Sequence, residues 1–128
     1  MPHLSVYALE SDLAGAETTL IENLTEAVVA VYGEWARGTV VVLLFGLPPH
    51  RWGMGGIQAQ APGPRVTFGI RESVFTRPDA AQIIARLAAE VTNAIAAALG
   101  EHLRPTTTVE LTATPAGRTA IGGTLVAD

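Results

Sequence analysis

The sequence predicts an α/β (α+β) fold: a tandem β-α-β repeat giving a four-stranded sheet with two helices on one face. Three observations predict it. Pro2 opens the strand-like run His3-Leu4-Ser5-Val6-Tyr7-Ala8-Leu9 and Pro64 opens Arg65-Val66-Thr67-Phe68-Gly69-Ile70-Arg71, each followed by Glu-Ser at the same place, 62 residues apart. After each run come an apolar stripe at helical spacing, a second apolar run and a glycine pair. The segment between the copies, Gln58 to Gly63, is too short to separate independent domains, so residues 1–128 read as one domain of two units, about 2–61 and 64–128.

In the first unit Leu4, Val6 and Ala8 share one strand face and Ser5 and Tyr7 the other. Ser11 or Asp12 caps the following helix, whose stripe is Leu13, Ala16, Leu20, Leu24, Ala27 and Val31. Gly33 ends it, supplying the positive φ of a C-terminal stop. Thr39 to Phe45 is apolar on both faces, as in a strand covered on both sides, until Pro48-Pro49 breaks it. In the second unit Val66, Phe68 and Ile70 alternate, and Thr76, Pro78 and Asp79 mark a helix start. Ile84, Leu87, Val91, Ile95 and Leu99 form its stripe, Gly100 stops it, and Val109, Leu111 and Ala113 alternate in a last strand. Leu24 to Gly33 spans nine residues and Leu87 to Gly100 thirteen, so the second helix is longer by about one turn. Strands joined through a helix pair in parallel by a right-handed crossover.

Composition narrows the chemistry. A formal net charge of −4 argues against a nucleic-acid surface, which calls for a basic patch. With no cysteine there is no disulfide, thiolate zinc site or cysteine nucleophile, and His3, His50 and His102 have no metal-ligand spacing. No cofactor or metal is expected. No apolar run approaches the roughly 20 residues of a membrane span, and no basic region with an apolar core opens the chain as a secretory signal. The expectation is a cytoplasmic protein with neither a membrane nor a nucleic-acid partner.

Pro2 carries the chemistry. Methionine aminopeptidases remove Met1 when a small residue follows, leaving Pro2 as a free secondary amine held at the start of a strand. An ordinary α-amino group has a pKa of about 7.7–8.0. An apolar pocket or neighbouring cations disfavour the ammonium and bring the value toward neutrality. A neutral amine is a general base for a carbon acid beside a carbonyl. The alternative is structural: proline simply begins an edge strand, where a missing N–H costs nothing. Pro64 carries an amide nitrogen and cannot be a base, so there is one site per chain.

Pro2 with its strand, Trp52-Gly53-Met54-Gly55-Gly56 after the second strand, and the degraded copy Thr119-Ala120-Ile121-Gly122-Gly123 together resemble the tautomerase superfamily. The glycine turn is similar to the aromatic-Gly-Ile-Gly-Gly turn of the 4-oxalocrotonate tautomerases. The resemblance covers essentially the whole chain and is strongest to the fused branch, in which two units in one polypeptide replace a dimer of short subunits. It implies a tautomerase/MIF-like fold, a homotrimer with sheets inside and helices outside, Pro2 as general acid and base, and no cofactor. Trp52 then either lines the pocket beside the proline or serves packing.

The short tautomerases hold a dicarboxylate with two arginines, and both are absent here: Asp12 and Val74 occupy the first place in the two units, Val41 and Thr108 the second. Arg71 and Arg77 are the replacements, in a neighbourhood where fused members resembling malonate semialdehyde decarboxylase and the cis-3-chloroacrylic acid dehalogenases carry carboxylate-binding arginines; a solvated surface arginine is the alternative for each. Arg51, Arg118 and His50 read as loop residues, and Glu10 and Glu72 as helix caps. The expected activity is keto–enol isomerisation of a small 2-oxo or 2-hydroxy-enoic acid carrying one carboxylate, on Pro2 with Arg71, Arg77 and Trp52 binding substrate. Alternatives are dehalogenation or decarboxylation of a three-carbon acid on the same proline, or a non-catalytic oligomeric scaffold.

Overall fold

Alternation sets the first strand. Leu4, Val6 and Ala8 are fully buried along β1 (His3–Leu9), while His3 and Tyr7 are exposed. The computed structural model, which describes residues 2–126, continues with α1 (Glu10–Leu13), α2 (Glu17–Tyr32), β2 (Val41–Leu47) and a small hairpin of β3 (Gly53–Met54) and β4 (Ile57–Gln58). The second unit repeats the order as β5 (Arg65–Arg71), α3 (Glu72–Phe75), α4 (Ala80–Leu99), β6 (Thr108–Thr114) and a hairpin of β7 (Ala120–Ile121) and β8 (Thr124–Leu125). A 3-10 turn follows each long helix, Glu34–Thr39 and Glu101–Thr106.

One four-stranded sheet of order β2-β1-β5-β6 carries both units. β1 pairs in parallel with β2 from His3↔Val41 to Leu9↔Leu47, and β5 in parallel with β6 from Arg65↔Thr108 to Arg71↔Thr114. The units meet through antiparallel β1 and β5, from His3↔Gly69 to Tyr7↔Arg65. The 62-residue shift exchanges these two end pairs and leaves Ser5↔Thr67 in place, so the junction has a local two-fold axis at Ser5↔Thr67.

Helices α2 and α4 cover one sheet face. Leu20, Leu24 and Val28 from α2 and Leu87, Val91 and Ile95 from α4 join Leu4, Val6, Val66, Phe68 and Ile70 in one buried cluster. Each fully buried side chain of this size contributes about 1.5–3 kcal/mol relative to exposure. α4 has 20 residues and α2 has 16, the extra turn expected from the glycine spacing. The hairpins also repeat: Gly55 and Gly56 have φ of 64° and 85°, Gly122 and Gly123 of 59° and 84°, the double positive φ of a two-residue turn that suits twisted strands.

Five expectations are corrected. Ser11 and Asp12 cap nothing: Glu10 already begins α1, and Gly15 at φ 87° breaks the path before α2 starts at Glu17. Thr76 does not start a helix but ends α3, its hydroxyl donating to the Ser73 carbonyl at 3.1 Å, and α4 begins after Asp79. The second strand runs from Val41 rather than Thr39, because the 3-10 turn holds Thr39 through its hydroxyl on the Ala36 carbonyl. It is also covered on one face only, since Val41, Leu43 and Phe45 stay exposed opposite the core-facing Val42 and Leu44. Finally, α4 is long and apolar enough, by length and composition alone, to cross a membrane. In the fold it is a core helix, its Leu87/Val91/Ile95 stripe buried and its exposed Arg86 donating to the Ala30 carbonyl of α2 at 3.2 Å.

Candidate active site

Pro2 sits where the sheet begins. It is buried, and its carbonyl accepts the Val41 N–H at 3.0 Å, which ties it to the first residue of β2. Pro64 makes the same bond with the Thr108 N–H at 2.9 Å. The fate of Met1 lies outside the described residues.

A pocket of about 250 Å³ opens beside Pro2, lined chiefly by Tyr32, Trp35, Arg71, Val74 and Arg77. The β1–β5 junction explains this company. Because the two strands run antiparallel, the start of β1 lies beside the end of β5, and the turn into α3 delivers Arg71 and Val74 to Pro2. Arg71 and Arg77, singled out from sequence, thus share a pocket with the predicted base.

The two arginines differ. Arg71 is half-buried at the junction of β5 and α3 and has no ion-pair partner among the described residues. Arg77 is grasped by Asp79 at both edges of its carboxylate, Nε to Oδ1 at 2.9 Å and Nη2 to Oδ2 at 3.1 Å. That hydrogen bonding raises the guanidinium pKa and lowers that of the Asp79 carboxyl.

Tyr32 and Trp35 were not anticipated as site residues. Tyr32 is the last residue of α2, and the Trp35 indole N–H donates to the Tyr32 carbonyl at 2.6 Å. Their rings lie 6.1 Å apart, tilted by 52°. Burial raises the Tyr32 pKa, so its hydroxyl stays protonated at neutral pH. A signal existed: Gly33-Glu34-Trp35-Ala36-Arg37-Gly38-Thr39 and Gly100-Glu101-His102-Leu103-Arg104-Pro105-Thr106 repeat the pattern Gly-Glu-x-x-Arg-x-Thr. In each copy the arginine pairs with its glutamate and reaches back to the long helix, Arg37 to Glu26 and Arg104 to Asn93.

The repeat allows the two ends of the sheet to be compared by position. At the Pro64 end, Leu9 and Gly15 stand where Arg71 and Arg77 stand at the Pro2 end, and Leu99 and His102 replace Tyr32 and Trp35. By position, neither the two arginines nor the aromatic pair has a like counterpart at the Pro64 end.

Neither a protein-family model nor a curated protein matches the sequence significantly. Solved structures do match. F6 fused 4-OT, a wild-type asymmetric trimer, is 28% identical with a TM-score of 0.80 over 96% of this chain and 94% of its own. Native fused 4-OT is 25% identical with a TM-score of 0.80 over the same shares, 96% and 94%. These matches support a fused 4-OT-like member of the tautomerase superfamily. N1, of the cis-3-chloroacrylic acid dehalogenase family, shares the fold at 19% identity and a TM-score of 0.74, over 97% of this chain and 82% of its own.

The fused 4-OT-like frame places the remaining candidates. Val74 lines the pocket and Val41 bonds to Pro2, so two of the positions that lack the arginines of the short tautomerases border the site without charge. Trp52 lies apart from this pocket within one chain, in a cleft with Met54, Arg65 and Thr106. Arg51, His50 and Arg118 are exposed beside the hairpins. Glu10 is spent elsewhere: its carboxylate covers Gly46 of β2, where any Cβ would collide with it. Neither Glu10 nor Asp12 lines the Pro2 pocket.

Proposed function

We propose that this protein is a tautomerase acting on a small 2-oxo or 2-hydroxy-enoic monocarboxylate, with the Pro2 amine, freed by removal of Met1, as acid and base. The carrying observation is that Pro2, unpaired Arg71 and the Tyr32/Trp35 wall line one pocket. Arg71 anchors the substrate carboxylate through its planar fork and polarises the adjoining carbonyl. Pro2 takes the enol hydroxyl proton, the electron pair shifts along the diene to carbon, and the prolyl ammonium returns the proton there. Atoms and electrons balance without a cofactor. The apolar lining and nearby guanidinium groups both favour the neutral amine at pH 7. Trp52 would reach a substrate only across a subunit boundary, in an assembly such as the asymmetric trimer described for F6 fused 4-OT.

Dehalogenation or decarboxylation of a three-carbon acid is less well supported. Those reactions need a cationic proline and a group that activates water, and the pocket of one chain offers no carboxylate or imidazole among the described residues. A non-catalytic scaffold leaves the gathering of Arg71 and the aromatic pair around Pro2 alone unexplained. The test is turnover of 2-hydroxydienoates and phenylenolpyruvate by wild type and Pro2→Ala. The variant keeps a primary amine but loses the ring that positions it, so the rate should fall by up to the order of 10²–10⁴-fold that general acid–base catalysis supplies; equal rates in the two proteins would end the proposal.

A further inference from the structure

The Pro2 pocket holds two guanidinium groups, yet one of them is answered from within the chain. We propose that Asp79 is a specificity-determining residue: by holding Arg77, it leaves Arg71 as the single uncommitted cation and so restricts the site to substrates with one carboxylate. This rests on the tautomerase reading and refines its substrate class.

The geometry carries the argument. Asp79 takes the Nε/Nη2 edge of Arg77, the edge that would otherwise meet a second carboxylate side-on. A dicarboxylate entering the pocket must break that grasp or leave its far carboxylate without a cation beside apolar Val74 and Ile70. A monocarboxylate engages Arg71 alone. Nothing in the helix requires an aspartate: Asp79 precedes α4 but makes no side-chain cap hydrogen bond. Asparagine there is an equally favoured capping residue, so Asp79→Asn removes the charge and spares the fold.

A matched pair of probes tests this. 2-Oxopentanoate and 2-oxoglutarate share a carbon skeleton and differ by one terminal carboxylate. Their dissociation constants are measured by calorimetry on wild type, Asp79→Asn and Glu101→Gln at low ionic strength. Glu101→Gln is the charge control, since it frees Arg104 from a comparable exposed pair outside the pocket. Asp79→Asn is expected to tighten 2-oxoglutarate by up to about fivefold, the upper end of the range of an exposed ion pair. 2-Oxopentanoate should change little, and Glu101→Gln should leave the ratio alone. The selectivity should also shrink with added salt. An unchanged ratio in Asp79→Asn, or equal tightening of both ligands, overturns the assignment while leaving the tautomerase reading intact. Failure of all three proteins to bind either acid overturns both.

Discussion

At the scale of residues, short-range chemistry decides which charges remain free to act. Arg37 and Arg104 lie at equivalent points of the two units, and each is committed to glutamates or a side-chain amide beside it. Arg77 is committed to Asp79, whereas Arg71 is not. Identity alone could not separate these arginines. Arg71 and Arg77 were legible as cations near the end of a strand, but the pairing that distinguishes them depends on side-chain conformations at a turn. The Arg37 cluster gives a pH prediction. Its hydrogen bonds lower the Glu26 and Glu34 pKa values below the ordinary glutamate value, so it stabilises the fold above about pH 4.3 and the contribution is lost as pH falls through the lowered values. All three side chains are exposed, so the effect is modest and salt-sensitive. Thermal melts of wild type and Arg37→Gln should differ at pH 7 and differ less at pH 3. A difference of the same size at both values would show that the cluster does not act through ionised glutamates.

At the scale of elements, periodicity revealed most of what exists and little about its edges. The strand alternation, helix stripes and glycine pairs foretold every major element, because burial on one face imposes those patterns directly. The boundaries failed where backbone geometry took over. Glu10 and Glu72 each open a single helical turn before the main helix, and nothing periodic fits in four residues. Pairing of the two units through antiparallel β1 and β5 brings residues 58 to 66 positions apart into register, which no local pattern encodes. That register is what makes the pocket. Gly63 shows how tightly the units are joined: a Cβ there would run into the Thr106 backbone, which cannot swing aside as a side chain can. Gly63→Ala is therefore expected to destabilise by about 1–3 kcal/mol, in the manner of overpacking in a filled space. Gly53, with its nearest contact 3.5 Å away, should tolerate alanine far better. Urea denaturation compares them, and equal midpoints would show that the Gly63 crossing yields.

At the scale of the whole molecule, one sheet face is finished by helices and the other is bare. Tyr7, Val41, Leu43 and Phe45 are 40–51% exposed on that bare face, and the Tyr7 and Phe45 rings stack 4.8 Å apart. An apolar surface of this kind on an edge strand calls for a partner. The double-sided apolar run read from the sequence is explained if the second cover comes from neighbouring chains, as a homotrimer would supply. Light scattering should then give three times the 13.3 kDa chain mass, and Phe45→Glu should shift the protein toward smaller species with its circular dichroism retained. A Phe45→Glu variant of unchanged mass would place the interface elsewhere.

The account stands on an unprotonated Pro2 amine working as the base. Its most direct test is the pH dependence of kcat/KM for ketonisation of a 2-hydroxydienoate, using protein whose intact mass shows Met1 removed. The rate should rise with pH through one ionisation below the ordinary α-amino range of about 7.7–8.0, and Pro2→Ala, which puts a primary amine in place of the ring nitrogen, should move that ionisation. A rate that instead falls as the amine loses its proton, or a profile untouched by the substitution, would contradict it.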